Sequence, residues 1–374
     1  MKTEFTASHA LRVEKWSALM FKYPRYKSFF SKYIGENTKA KGADIATSEN
    51  AMIQLKSDFS KGKGDKVHFG MIAPLRNAGV TGDQQLEGNE EALTAYEWNV
   101  ELKKVRNAVT NEGELSDKRV EFDAKMQAKE QLGQWLGHKI DNYSGCALAG
   151  VASNDGNVAA NAPSNGNRKW VGGQTAAGVI YNATGNLDAN FDATATNNLM
   201  GPEVIEAVKR KATMIEPVMR PIVINGKDYF IMFMHPLQAK ALKASASWKS
   251  GHYYADIRGE KNPLFSGALG VWDGVILHEY QKCETRLGAG GSTVTEYFDS
   301  GDVLDSGVYA ARALFCGAQA VVQAYGKLPY YKADSFDYGD EWGVAVGVMT
   351  GVSKPEFNSE DYGVMVIDTE IVAD

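Results

Sequence analysis

A chain of 374 residues that is 44% hydrophobic and 23% charged carries enough apolar material for two or three folding units, which excludes disorder as its default state. The formal net charge of −6 argues against a general nucleic-acid coat, because nonspecific phosphate binding rests on clustered Lys and Arg. No stretch approaches the roughly 20 continuous apolar residues of a membrane-spanning helix. Met1 to His9 lacks the apolar core of a signal peptide, and Cys146, Cys283 and Cys316 show neither a disulfide framework nor a CxxC zinc pair. The expectation is a protein made and used in a cytoplasm, with no cofactor, metal or membrane contact, its cysteines serving as small buried hydrophobes.

From residue 1 to about 64, Trp16, Phe21, Tyr23, Tyr26, Phe29, Phe30 and Tyr33 recur without sustained periodicity among Lys, Arg, acidic residues and Gly/Ser turns. This reads as an extended arm whose aromatics dock on a protein surface, favoured over an arm that stacks nucleic-acid bases. Lys61, Lys63 and Lys66 with Gly62 and Gly64 make a basic linker without the spacing of a phosphate loop.

The stretch Val67 to Val105 is the most informative. Val67, Phe69 and Met71 alternate with polar neighbours, as do Tyr96, Trp98, Val100 and Leu102, the period-two signature of half-buried strands. Between them Ala73 to Glu91 is rich in turn formers and acidic residues and too poor in large apolar side chains to collapse by itself. The prediction is a long hairpin, and because a two-stranded ribbon is at best marginally stable in water, it needs a partner surface. The simplest source is a neighbouring copy of the chain. The expected contact residues are Phe69, Met71, Arg76, Glu87, Glu90, Glu91, Tyr96, Trp98 and Val100. The three glutamates would meet Arg or Lys of the neighbour or form a solvated loop edge, since exposed pairs contribute only about 0 to 1 kcal/mol.

After the hairpin, Ser116 or Asp117 caps a helix over about 116–142, in which Val120, Ala124, Ala128, Leu132, Trp135, Leu136 and Ile140 form one apolar stripe that Gly145 ends. His138 reads as a packing histidine. Residues 151–200 turn abruptly to Ala, Asn, Gly, Thr and Asp around Trp170, an elaborated loop or insertion. Its Asn154-Asp155-Gly156-Asn157 and Asp188 to Asp192 segments lack the positions and closing Glu of a calcium loop. Pro202 opens a short helix through Val204, Ile205, Val208 and Ala212. Pro221 to Met234 is a hairpin about Asn225-Gly226, Pro236 opens a helix to Ala244, and Val271 to Glu279 is a strand with a turn. Val308 to Tyr325 fits either one helix or a strand to Phe315, a break at Gly317 and a helix over 318–325. Strands at Trp342 to Met349 and Tyr362 to Val372, joined by a loop holding Pro355, close the chain. Without regular βαβ alternation the class is α+β.

No local enzyme motif is present: no H-E-x-x-H, no G-x-S-x-G elbow and no G-x-G-x-x-G after a strand, since Gly288, Gly290 and Gly291 lie in a loop without a following helix. The histidines, His235 and His252 among them, are isolated in sequence. No catalytic residue is assigned.

The order of arm, long hairpin, long helix, variable insert, strand-helix unit and terminal strands resembles the major capsid proteins of tailed phages, with the Hong Kong 97 fold. Val67-His-Phe-Gly-Met71, Leu86-Glu-Gly-Asn-Glu-Glu91, Phe230-Ile-Met-Phe-Met-His-Pro236 and Ala313-Leu-Phe-Cys-Gly-Ala-Gln-Ala320 are similar to the coat proteins of the group typified by coliphage N-four. The resemblance runs from about residue 50 to the end. It implies an N-terminal arm over 1–64, an extended β-hairpin loop over 65–112, a peripheral domain over 113–219 and 336–374 around the spine helix, and an axial domain over 220–335, with 151–200 as an insertion. It also implies self-assembly into hexamers and pentamers of an icosahedral or prolate head enclosing double-stranded DNA, in the virion, after assembly in a host cytoplasm. The implied partners are further copies of the chain, a portal, a separate scaffolding protein, an optional decoration protein and weakly contacted DNA. The type member of the fold joins its subunits by an isopeptide bond from a lysine in the extended loop. This chain has no lysine between Met71 and Leu102, so the shell is expected to be non-covalent. A cellular compartment shell of the same fold and a cytoplasmic enzyme or binding protein of small oligomeric state are the alternatives.

Overall fold

The computed structural model describes residues 28–35, 37–38, 46–47, 50–56, 64–119, 123–161, 168–175, 178–179, 198–224, 226–254, 269–280, 285–287 and 309–371. Trp16, Phe21, Tyr23, Tyr26, Lys61, Lys63, Val120, Asp188 to Asp192, Cys283 and the glycine-rich loop at Gly288 lie outside the described residues. Two compact units divide the chain, one holding Val105–Lys139 and Pro329–Val348, the other Phe29–Lys104, Ile140–Leu328 and Met349–Asp374.

In chain order, β1 (Asn37–Thr38), β2 (Ala46–Thr47) and β3 (Ile53–Lys56) come from the arm. The long hairpin follows as β4 (Lys66–Ile72) and β5 (Ala95–Glu101), then β6 (Lys103–Thr110), α1 (Glu114–Lys118) and α2 (Ala124–Ala149). The insert region carries β7 (Lys169–Val171), β8 (Gln174–Thr175) and β9 (Gly178–Val179). Helix α3 (Pro202–Met214) leads to β10 (Ile222–Ile224), β11 (Lys227–Met234), α4 (Pro236–Ala244) and α5 (Ala246–Tyr254). Strands β12 (Gly270–Trp272), β13 (Val275–Glu279), β14 (Thr285–Leu287), β15 (Tyr309–Cys316), β16 (Val321–Phe336), β17 (Glu341–Ser353), β18 (Glu356–Phe357), β19 (Glu360–Asp361) and β20 (Val364–Ile371) complete it.

The larger unit is built on a sheet of order β12-β13-β11-β15-β20-β7, with β10 paired to β11 and β14 to β15. Its central strands β15 and β20 are antiparallel over their full length, from Tyr309↔Ile371 to Cys316↔Val364. Phe230, Met232, Phe315, Met365 and Ile367 from this sheet pack with Val204, Ile205 and Val208 of α3 and Leu242 of α4 in one buried core. Inside the sheet Arg312 pairs with Asp368, Nε to Oδ1 at 2.8 Å and Nη2 to Oδ2 at 2.9 Å, while Nη1 donates to the Ala149 carbonyl at 3.0 Å. Both side chains are almost wholly excluded from water, so the two-pronged geometry is what offsets their desolvation. A second sheet has the order β1-β2-β3-β16-β17-β6.

The turn at Gly226, the helices opened by Pro202 and Pro236, and the turn between β12 and β13 lie where the sequence places them. His235 caps α4, its Nδ1 accepting from Leu237 N at 3.2 Å while Gln238 reaches back to His235 N at 3.1 Å.

Two expectations need correction. The long helix runs over Ala124–Ala149, not 116–142, and α1 is a separate turn. Neither Ser116 nor Asp117 caps it: Gly113 holds the N-cap position of α1, and the Asp340 carboxylate accepts Glu114 N at 3.1 Å. Gly145 does not stop α2, which ends at Gly150 with φ +77. From Tyr143 to Ala149 the helix is buried on every side, so Ser144, Gly145, Cys146 and Ala147 show no stripe and read locally as a terminus. The segment after Gly317 is a strand rather than a helix over 318–325. Val321, Val322, Gln323 and Ala324 are buried on both faces, which erases the alternation, and pair parallel to Ile53, Gln54, Leu55 and Lys56.

Candidate inter-subunit interface

Strands β4 and β5 pair in a single antiparallel register, with Val67↔Val100, Phe69↔Trp98 and Met71↔Tyr96 on one face. The opposite face carries Lys66 and Glu101, whose Nζ and Oε1 are 2.9 Å apart, and a hydrogen bond between His68 Nδ1 and the Glu97 carboxylate. The ribbon thus has an apolar side and a charged side, as period-two alternation requires.

The apolar side is not wholly free for a neighbour. Val67 and Val100 are 1% and 3% exposed within their own chain. Each buried valine contributes about 1.5–3 kcal/mol. The backbone of β17 comes so close that a Cβ on Gly351 would lie 2.7 Å from Val100 Cγ1 and 2.3 Å from the Glu101 carbonyl oxygen, so only glycine admits this approach. Val100, expected at an inter-subunit contact, thus packs against its own chain and anchors the root of the hairpin there. The partner surface that a bare ribbon needs is supplied, at its root, by the same polypeptide.

One step outward, Phe69 and Trp98 are half-buried, their ring centroids 5.2 Å apart, and Trp98 is 6.2 Å from Phe357. Here a cleft of about 250 Å³ opens between Phe69, Met71 and Trp98 of the hairpin and Val218, Phe357 and Tyr362 of the body. Burial raises the Tyr362 hydroxyl's pKa above its ordinary value. Tyr96, half-buried, continues the same row.

Beyond Met71 the loop leaves the body. Ile72, Leu75, Leu86 and Leu93 are 59–70% exposed. Its carboxylates organise the loop itself. Glu91 accepts Arg76 N and Asn77 N, both at 2.7 Å, and these bonds hold its pKa below the usual carboxylate value. Glu90 accepts Gly88 N at 2.7 Å, and Glu87 receives a 3.4 Å contact from Gln85. The Arg76 guanidinium stands 3.8 Å from Glu216 with both side chains more than 80% exposed, a contact of little energy.

The described part of the arm docks as expected. Phe29, Phe30 and Tyr33 join Phe233, Tyr280 and His278 in one aromatic cluster with neighbouring centroids 4.6–5.9 Å apart. Phe29 N donates to Asp141 at 2.6 Å, and Asn50 pairs with the Val223 backbone in both directions, at 2.6 and 2.8 Å. Sequence reasoning missed the platform under the hairpin, Val218, Phe357 and Tyr362, because each lies over a hundred positions from the strands it supports. Among the described residues no three His, Cys, Asp or Glu side chains converge on a metal position. No helix among them is long and apolar enough to cross a membrane.

Among the described residues, the docked arm segment, the hairpin reaching past its root and the 26-residue helix α2 set the frame for comparison with known proteins. Residues 4–373 match the family model described as phage capsid protein. The major capsid protein of Pseudomonas phage KPP25 is 29% identical over 377 residues, covering 94% of this chain and 93% of that one. The capsid of Ralstonia phage GP4 superposes with a TM-score of 0.74 at 27% identity, over 100% of this chain and 99% of the other. That of cyanophage Pam1 gives 0.76 at 24% identity, over 99% and 100%, a likeness of fold. These likenesses favour a phage coat over a cellular compartment shell or a small enzyme, and the chain belongs to the phage capsid protein family, as a structural protein of the Hong Kong 97-like fold.

Proposed function

We propose that this chain is the major head protein of a tailed phage of the group typified by coliphage N-four, assembling into hexamers and pentamers around packaged double-stranded DNA, with the β4–β5 hairpin lying across a neighbouring copy. The observation that carries the reading is the hairpin's division of labour: Val67 and Val100 are buried in the chain itself, whereas Ile72, Leu75, Leu86 and Leu93 stand exposed beyond it. Four large apolar side chains on one reaching loop are suited to a partner, and the partner present at the highest local concentration in a shell is another copy. Each contact is modest, and closure makes many of them simultaneous.

With no lysine between Met71 and Leu102, the loop holds its neighbour by packing and hydrogen bonds, not by a covalent link from its own amines. A portal, a scaffolding protein and an optional decoration protein complete the head, and DNA is contacted weakly, in keeping with a net charge of −6. Negative-stain electron microscopy of the chain, expressed alone and with its neighbouring genes, tests the reading. Closed shells or hexamer sheets are expected. A monodisperse small oligomer under both conditions would overturn it.

A further inference from the structure

The platform beneath the hairpin is too small to hold its own place. Strands β18 and β19 pair over two residues each, Glu356↔Asp361 and Phe357↔Glu360, around Asn358 and Ser359 with φ of +53 and +60. A two-stranded ribbon is at best marginally stable even when longer than this. Phe357 and Tyr362 line the cleft, with centroids 5.7 Å apart, and Phe357 stands 6.2 Å from Trp98 of the hairpin. Alternation turns Asp361 to the opposite side of the strand from Tyr362. There Asp361 Oδ2 accepts from Lys354 Nζ at 2.8 Å, and both side chains are 3% exposed. The aromatic platform thus rests on an ion pair sealed from water.

The other wall of the cleft also has a buried cation behind it. Val218 lines the cleft, and the carbonyl of its neighbour Pro217 accepts from Nη2 of Arg168. The Arg168 side chain is wholly buried, and its Nε and Nη1 meet no acceptor among the described residues. Burial lowers the Arg168 pKa, and Asp361, Glu360 and Tyr362 oppose that change. Asp361 therefore acts on both walls, on Lys354 by contact and on Arg168 at longer range. Burial also holds the Lys354 pKa below its ordinary value, outweighing the attraction of Asp361 and Glu356, while Arg312 adds a smaller repulsion. An apolar pair of similar volume would stabilise the site as well or better. What it would lack is a fixed donor–acceptor direction. We propose that the Lys354–Asp361 pair is a positioning device, which sets the platform under Trp98 and with it the direction in which β4–β5 leaves the body toward a neighbouring copy.

The link to a neighbour rests on the capsid reading, and the test separates the two. Lys354→Met alone leaves the Asp361 carboxylate without its ammonium and is expected to lower the urea midpoint of the unassembled subunit. Adding Asp361→Leu is expected to recover that midpoint. The double variant should nevertheless show several-fold faster hydroxyl-radical labelling of Trp98 in the unassembled subunit, and several-fold fewer closed shells by electron microscopy. A merely structural pair would move stability and labelling together. A double variant that recovers the midpoint and also keeps wild-type Trp98 labelling would overturn the positioning role. So would one that fails to fold or to recover the midpoint, because the pair would then serve the stability of the body. Trp98 labelling is read on subunits and needs no shell, so wild-type chains that never form shells would overturn the capsid reading by itself.

Discussion

The root and the reach of the long hairpin share one ribbon and one alternating pattern, yet they differ in what covers them. At the root, Val67 and Val100 are buried against their own chain and β17 presents a glycine so that the backbones can meet. At Phe69 and Trp98 the cover is partial, and Ile72, Leu75, Leu86 and Leu93 beyond them are 59–70% exposed. Alternation in a strand therefore reports that one face is to be buried without saying by what. The amount left uncovered by the chain itself measures what assembly has to supply.

The sharpest way to break the root is to charge it. Val100→Asp places a carboxylate where 3% of the residue is exposed, and an uncompensated buried charge costs about 3–5 kcal/mol. The expected outcome is loss of folding stability in the unassembled subunit, read as a lowered urea midpoint. An unchanged midpoint would mean that the root is no anchor and that the whole ribbon depends on a neighbour.

Trp98→Ala probes the middle of the gradient. A buried large-to-small change costs about 3–5 kcal/mol, so a half-buried tryptophan should cost the subunit about 2 kcal/mol. Its larger effect falls on assembly, because the cleft beside it widens and the reaching loop loses its fixed point of departure. Fewer shells of lower heat resistance are expected by electron microscopy after heating. Shells of normal yield and wild-type heat resistance would sink the idea that this ring transmits the root's rigidity to the loop.

What was legible in the sequence followed the same gradient. The hairpin, the Gly226 turn and the helices opened by Pro202 and Pro236 announce themselves because half of each element faces water and half does not, or because a turn residue has one backbone use. The end of α2 and the strand after Gly317 were misread for the converse reason. Ser144, Cys146 and Ala147 in the one, and Val321 to Ala324 in the other, are buried all round, and a uniformly buried segment carries no period. Of the nine residues expected at the interface, the alternating ones fall on one face as the pattern implies, whereas the contacts of Val100 depend on Gly351 and those of Glu91 on Arg76 and Asn77. Those contacts are set by the tertiary fold and by loop geometry, which no local pattern reveals.

The smallest expected effect lies at the reach, where order is local. Glu91 holds two backbone N–H groups through its ionised carboxylate, and these bonds keep its pKa below the usual carboxylate value. The sign follows from that direction: a group whose folded pKa is depressed contributes order fully above its unfolded pKa and loses it as pH falls through the folded one. Acidification below about pH 4 should therefore loosen the Arg76–Asn77 turn while the root stays intact. Amide exchange at Arg76 and Asn77, compared at each pH with a Glu91→Gln protein, should be slower in the wild type at neutral pH and converge with the variant in acid. Equal exchange at neutral pH would show that the turn takes its shape from elsewhere, and the contrast between a root fixed by burial and a reach fixed by local hydrogen bonds to carboxylates would fail at its outer end.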